Sequence, residues 1–368
     1  MGFRSALFFL GIGVALPPLP ASSVVSAHVQ VLVARPNGQV LGELRTRLDS
    51  VSWKHRGVGG TAFPVGRRSA QFDEEMLRFG NRVLVQFSNG LPNWGGVIAS
   101  PRPWEVAGIE VTVMQAKWLL SRRKTTWARQ FGGATAGTVF ESLIREANGR
   151  YPLGLALGAV PLGGAGYDLE FNGEFLADVF DDLVGLLDVD DWDVTAQLAG
   201  GVIEFTANLY QRRGEERLNV ALSNRWGGNV GEVRFKEEEQ IVNAWSLAGQ
   251  GTGWGANDRA YAFVVDEESV ARFGYSEDSL VVESATSATA LEMIGRKLLG
   301  QSAWPHALVA LEALGKSPGS FEEYDVGDTV TVDLWNYGFG GFRAGMRVIG
   351  REYFPERGAC DLVLEEGV

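Results

Sequence analysis

The chain has 368 residues, 45% of them apolar and 21% charged, enough for two or three packed domains and unlike a disordered or fibrous protein. A net charge of −12 with no long basic run excludes a protein that wraps nucleic acid, because phosphate neutralisation supplies most of that affinity. A single cysteine, Cys360, excludes an intrachain disulfide, and with three scattered histidines it cannot build a zinc site.

Residues 1–27 read MGFRSALFFLGIGVALPPLPASSVVSA, with a charge at Arg4, an apolar run from Ala6 to Leu16 and the small Val25-Ser26-Ala27. This is the layout of a secretory signal peptide, and the run is too short to span a bilayer, so no stable membrane insertion is expected. An over-extended gene start is the competing reading, and both stay open.

From His28 the pattern turns to short strands, and 48 glycines, about twice the usual share, supply their turns. HVQVLVARPNGQVLGEL alternates on both sides of Pro36-Asn37-Gly38, a hairpin signal because a type I′ turn needs positive φ at both central positions. LDSVSWKHRG reads as a strand, SAQFDEEMLRFG as a short helix stopped at Gly80, and FGNRVLVQFSNGLPNWGGVIASPR as a second hairpin. GIEVTVMQAKWLL adds a further strand. Residues 28–132 are therefore expected to form a first small antiparallel β-barrel.

Residues 133–230 read as a mixed α+β middle domain. TAGTVFESLIREA spaces Val139, Phe140, Leu143, Ile144 and Ala147 as one helix face, with Thr135 as its cap. NGEFLADVFDDLVGLLDV gives a second amphipathic helix, and VDDWDVTAQLAGGVIEFTAN a hairpin turning at Gly200-Gly201. Residues 231–368 return to strands, including RAYAFVVDEESVARFG, with one inserted helix at SATSATALEMIGRKLLG. They close on VGDTVTVDLWNYGFGGFRAGMRVIGRE. That segment repeats the earlier hairpin: Gly80-Asn81-Arg82-Val83-Leu84-Val85 matches Gly327-Asp328-Thr329-Val330-Thr331-Val332, and each leaves through a Gly- and Asn-bearing turn onto an apolar strand. The expected fold class is β-rich α+β, with two related barrels flanking the middle region.

No catalytic, cofactor-binding or metal-ligating residue is assigned. GTGWGA, Gly251–Ala256, fits a dinucleotide fingerprint, but a strand follows it where the pyrophosphate needs a helix N-terminus. DVDDWDV, Asp188–Val194, gathers four carboxylates, but an EF-hand loop counted from Asp188 has Trp192 and Ala199 at ligand positions. A solvated helix end is the expected use of that cluster. His55 and His306 have no motif around them, and no G-x-S-x-G elbow is present. Cys360 in GACDLVLEE reads as a buried, inert thiol, and Arg122-Arg123-Lys124 as a solvated strand end. The eleven tryptophans fall largely on the apolar phase of strands and are expected in cores or subunit interfaces.

The serial order of these elements, from about Val29 to Glu366, resembles the baseplate-hub and tail-tip proteins of tailed bacteriophages, especially minor tail proteins of long-tailed actinobacterial phages. The resemblance is carried by LDSVSWKHRGVGGTAFPV, MLRFGNRVLVQFSNGLPNWGGVIASPR, IEVTVMQAKWLLSRRK, GEVRFKEEEQIVNAWSLAGQG, VARFGYSEDSLVVE, GRKLLGQ and EEYDVGDTVTVDL. It implies a non-enzymatic virion protein, assembled in the host cytoplasm, without cofactors or specific nucleic-acid binding. Its expected partners are two further copies in a homotrimeric ring, the tail-tube or distal tail protein, and tip, fibre or tape-measure proteins. A secretion signal departs from that pattern. The alternatives are a secreted β-rich carbohydrate-binding module and a glycoside hydrolase built on the Asp188–Asp193 cluster.

Overall fold

The computed structural model describes residues 28–55, 57–66, 74–101, 108–186, 188–225, 228–237, 241–251, 259–304, 307–335 and 341–366. The leader, His306 and all but the first residue of the Gly251–Ala256 loop lie outside the described residues.

The chain opens with the hairpin expected around Asn37-Gly38, β1 (Val29–Ala34) paired antiparallel with β2 (Val40–Glu43). Next come β3 (Val51–Lys54), β4 (Gly60–Gly66), β5 (Arg82–Phe87), β6 (Trp94–Pro101) and β7 (Gly108–Gln115). All except β3 form one antiparallel sheet in the order β2-β1-β5-β6-β7-β4. Two local readings differ from the structure. Glu74–Leu77, read as helix, is a turn. The apolar run after Gln115, read as strand, winds into a 3-10 helix, Ala116–Arg122, which buries Ala116, Lys117 and Leu120 along one side.

The middle of the chain supplies β8 (Arg129–Ala134), α1 (Ala136–Arg150), β9 (Leu155–Leu157), β10 (Tyr167–Phe171), α2 (Leu176–Leu186), β11 (Asp191–Ala199) and β12 (Val202–Tyr210). Helix α1 begins at Thr135, whose hydroxyl accepts the Thr138 N–H (3.2 Å), and it buries the five apolar residues predicted for its inner face. β11 and β12 pair from Asp191↔Tyr210 to Ala199↔Val202 and turn at the two glycines.

β13 (Glu216–Ser223) and β14 (Val230–Glu237) lead to an excursion: β15 (Ala244–Ala248), β16 (Tyr261–Val265), α3 (Glu267–Phe273), β17 (Glu277–Val281) and α4 (Ala288–Ser302). Its three strands lie in the order β16-β15-β17. The strand expected through RAYAFVVDEESVARFG ends at Val265 and α3 follows it: the Asp266 carboxylate accepts the Ser269 N–H (2.9 Å) and starts the helix, with Glu267 and Glu268 in the first turn. Gly295 lets α4 lie close on the sheet, since a Cβ there would stand 2.5 Å from Val264 and 2.8 Å from Leu247. The last strands are β18 (Ala307–Ala313), β19 (Thr329–Leu334), β20 (Phe342–Phe354) and β21 (Ala359–Glu366). They join β13 and β14 in a sheet ordered β13-β19-β20-β21-β18-β14, so β13 pairs with the C-terminal strands and not with the middle region.

The repeat seen in the sequence is a repeat of structure. Four consecutive strands, β4 to β7 and again β18 to β21, take the same spatial order, β5-β6-β7-β4 and β19-β20-β21-β18, antiparallel throughout. The match reaches single hydrogen bonds. The Gly80 N–H donates to Ile98 and the Ile98 N–H to Asn81, both 2.9 Å; likewise Gly327 donates to Val348 (2.8 Å) and Val348 to Asp328 (2.9 Å). Both glycines hold positive φ, 86° and 101°, which explains why this turn carries glycine twice. Register then shifts at Ile98/Ser100 in one copy and at the equivalent Val348/Gly350 in the other. The copies part at their flanks, where β1 runs antiparallel to β5 but β13 runs parallel to β19.

The first and last sheets share one apolar core, running from Val31, Val83 and Ile98 to Val330, Val348 and Leu364. β3 joins them: it leaves the first sheet and pairs with β20, Val51↔Tyr353 to Lys54↔Gly350. An aromatic row, Trp53–Phe87–Tyr353–Phe321, with neighbouring ring centroids 5.6–5.8 Å apart, crosses the same boundary. The first sheet is also buried on its other face, where Leu32, Leu84 and Val97 meet the helices of the middle region. A third, smaller core lies between α4 and the three-stranded sheet. Trp53→Ala should therefore lower stability by about 3–5 kcal/mol, and hydrogen exchange should show Val83–Val85 and Val330–Val332 losing protection together.

Candidate functional site

The densest polar arrangement in the described molecule lies where the three parts of the chain meet. The Asp188–Asp193 cluster, expected at a solvated helix end, is instead largely interior. Asp191 and Asp193 are 1% and 4% exposed at the start of β11. Asp188 alone stays outside, accepting from the Tyr167 hydroxyl (3.1 Å) and the Ala165 N–H (3.2 Å). The correction has a local cause. Alternation along β11 puts Trp192 and Val194 into the middle core, so the intervening carboxylates face the joint with the other two sheets.

Each buried carboxylate meets a cation delivered by a different part of the fold. Lys117, on the 3-10 helix and 1% exposed, sits 3.6 Å from Asp191 and 4.5 Å above the Trp192 ring. Arg213, in the turn after β12, bonds both Asp191 and Asp193, the latter at 3.1 Å. Arg347, on β20, grips Asp190 with both terminal nitrogens and also bonds the Gly327 carbonyl (3.1 Å). His55, just past β3, faces Asp190 at 3.7 Å and Asp191 at 3.9 Å. Asn208 and Tyr210 on β12 donate to Asp193 at 3.0 and 3.1 Å.

Burial alone would raise the Asp190 carboxyl, but the Arg347 fork, His55 and the Arg213 N–H outweigh it and hold the group well below the usual carboxylate range. Burial pushes the Lys117 ammonium down, against the pull of Asp191. Arg213 is carried the other way: burial opposes its charge, and Asp193 and Asp191 more than restore it. Three carboxylates and three cations balance inside the joint, which is the condition for burying charge at tolerable cost. A cleft of about 450 Å³ opens beside it, lined among others by Trp94, Asp193, Arg213, Arg217, Asp325 and Asp328.

Chemically the arrangement locks elements together. Asp191 and Asp193 are too closed to offer a substrate an approach, which counts against a glycoside hydrolase built on the Asp188–Asp193 cluster. Among the described residues no group of three or more His, Cys, Asp or Glu could hold a metal ion. Cys360 is buried, and burial raises its thiol, as expected of an inert core cysteine. Arg122, Arg123 and Lys124 lie at the end of the 3-10 helix, not of a strand. Of the tryptophans described, Trp53, Trp94 and Trp192 are interior, while Trp127 and Trp335 are exposed. No helix among the described residues is long and apolar enough to cross a membrane.

No family model and no curated protein matches the chain. Solved structures do. A prophage tail protein, gp18, from Listeria monocytogenes superposes with a TM-score of 0.57 at 12% identity, covering 92% of this chain and 94% of that one. The 43 kDa tail protein of prophage MuSo2 from Shewanella oneidensis gives 0.57 at 14%, covering 92% and 98%. The E. coli c3393 protein, a component of the type VI secretion system with structural similarity to T4 tail proteins gp27 and gp5, gives 0.50 at 10%, covering 88% and 75%. At these identities the likeness is one of fold, and it spans most of the chain: this chain shares its fold with these tail proteins.

Asp191→Ala should cost about 3–5 kcal/mol, since it strands the buried Lys117 and leaves Arg213 with Asp193 alone, and a denaturant titration measures it. Because the Asp190 pKa is depressed by folding, its contribution is complete above about pH 4, the unfolded carboxylate value, and is lost as pH falls below it. Asp190→Asn should flatten the acid limb of a melting-temperature profile between about pH 4 and pH 2.

Proposed function

We propose that this chain is a structural component of the distal end of a phage tail or a phage-derived injection device. In this reading it is a homotrimeric hub that docks on the tail tube and carries tip or fibre proteins, assembled in the host cytoplasm and resident in the virion. The observation that carries the reading is the duplicated four-strand unit, the same down to the Gly80/Gly327 turn and the register shift. Three copies of a chain with two such units present six near-equivalent surfaces, which suits a junction between a sixfold tube and a threefold tip. The whole-chain likeness to prophage tail proteins supports it. So does the joint just described, whose paired charges fix the two units relative to one another. The role is assembly, not catalysis.

The glycan-binding reading has less support, since interior packing takes up three of the described tryptophans and the two exposed ones, Trp127 and Trp335, sit on different parts of the fold. Light scattering on the full chain at high concentration should give a trimer, and mixing with the cognate tube protein should give rings visible by electron microscopy. Monomers alone, with no ring on the tube, would overturn the reading.

A further inference from the structure

Two surfaces of opposite character stand out on this acidic chain. From Val111 to Phe140 there are five basic residues and no acidic one. Three of them, Arg122, Arg123 and Lys124, form a cationic patch in which each charge lies on an aromatic ring. Arg122 stacks over Phe79 at 4.7 Å, Arg123 over Tyr151 at 5.5 Å and Lys124 over Phe175 at 4.5 Å. All three rings are exposed, and none of the three cations takes part in an ion pair among the described residues. The nearby Glu146 is already taken by Arg129 and Arg150. A guanidinium or ammonium resting on a ring keeps N–H donors directed outward, ready for carboxylates.

The opposite surface belongs to the three-stranded excursion. Residues 261–283 hold six acidic residues and one basic. The sheet presents α4 to one face through Leu247 and Val264, so the residues out of phase with these form the other face. Register places Val265, Ala244 and Glu277 in one row there and Phe263, Ser246 and Ser279 in the next. Phe263 and Val265 are exposed, and Glu267 and Glu268 of α3 edge the same end of the sheet. The result is an apolar strip with a carboxylate rim, the complement of a cationic patch with an aromatic floor.

We propose that these two surfaces bind each other between copies of this chain, the Arg122–Lys124 patch of one docking on the Phe263/Glu277 face of the next. The two surfaces differ, so the contact is head-to-tail and generates a ring when the rotation closes. The inference rests on the trimer reading above and names the contact that would close it.

Charge reversal tests the pairing in the full chain. Sedimentation velocity compares wild type with Arg122→Glu/Arg123→Glu/Lys124→Glu, with Glu267→Lys/Glu268→Lys/Glu277→Lys, and with all six reversals in one chain, thermal melts confirming that each is folded. Each triple variant should weaken self-association at least about tenfold, because like charges then face each other, and the sixfold variant should restore it. Should a reversal unfold the chain, the neutral Arg122→Gln/Arg123→Gln/Lys124→Gln variant, expected to weaken association in the same direction, replaces it. A trimer that persists in either triple variant overturns this contact and leaves the trimer reading standing. So does a sixfold variant that remains monomeric. A wild-type chain that is monomeric throughout overturns both.

Discussion

The structure depends on a strand given away. β3 leaves the sheet that its neighbours in sequence build and pairs with β20, some three hundred residues later, so the first and last sheets close over one core. Neither sheet buries its inner face without the other. Val51 and Trp53 are the contact made concrete, fully interior on a four-residue strand with no partner in its own sheet. Every element from β4 to β19 consequently lies within the loop that the β3–β20 pairing closes. The entropic cost of closing a long loop grows only slowly with its length, so an excursion as large as β15 to α4 is tolerated.

The charged joint follows from the same closure. Bringing three parts of a chain together leaves a place where strand ends, turns and a 3-10 helix converge and where a continuous apolar filling is hard to arrange. Here the space is filled by Asp190, Asp191 and Asp193 against Lys117, Arg213 and Arg347, with Asn208 and Tyr210 satisfying remaining lone pairs. Such a cluster adds little net stability over apolar packing. Its value is directional: carboxylates and guanidinium forks accept one relative placement of β11, β12 and β20, whereas a greasy joint would accept several.

What was legible in the sequence is what local backbone constraint dictates. The Gly-Asn and Gly-Asp turns could be matched because a positive φ, a bulge bond and a following V-x-V strand leave a narrow choice of residues. Thr135 and the apolar spacing of α1 were readable for the same reason. The charged cluster was not, because its cations stand at 117, 213 and 347 and no local window contains two of them. Lys117 within MQAKWLL, a lone charge in an apolar run, was the one hint. The loan of β3 was equally hidden, since VSWK reads as the same strand whichever sheet receives it. The capping pattern DEES at Asp266–Ser269 was available and was masked by the apolar run YAFVV before it.

One difference between the two copies has a consequence for how they can change. In β5 the middle residue of V-x-V is Leu84, held against the helices, whereas in β19 it is Thr331, half-buried, with its hydroxyl on the Leu218 carbonyl. The N-terminal copy is thus pinned from two sides and has little room to drift. The C-terminal copy is packed less closely on that side, where Thr331 is only half-buried. The two units thus share a strand order but differ in how many of their faces are already occupied, and an added partner finds room on the C-terminal one.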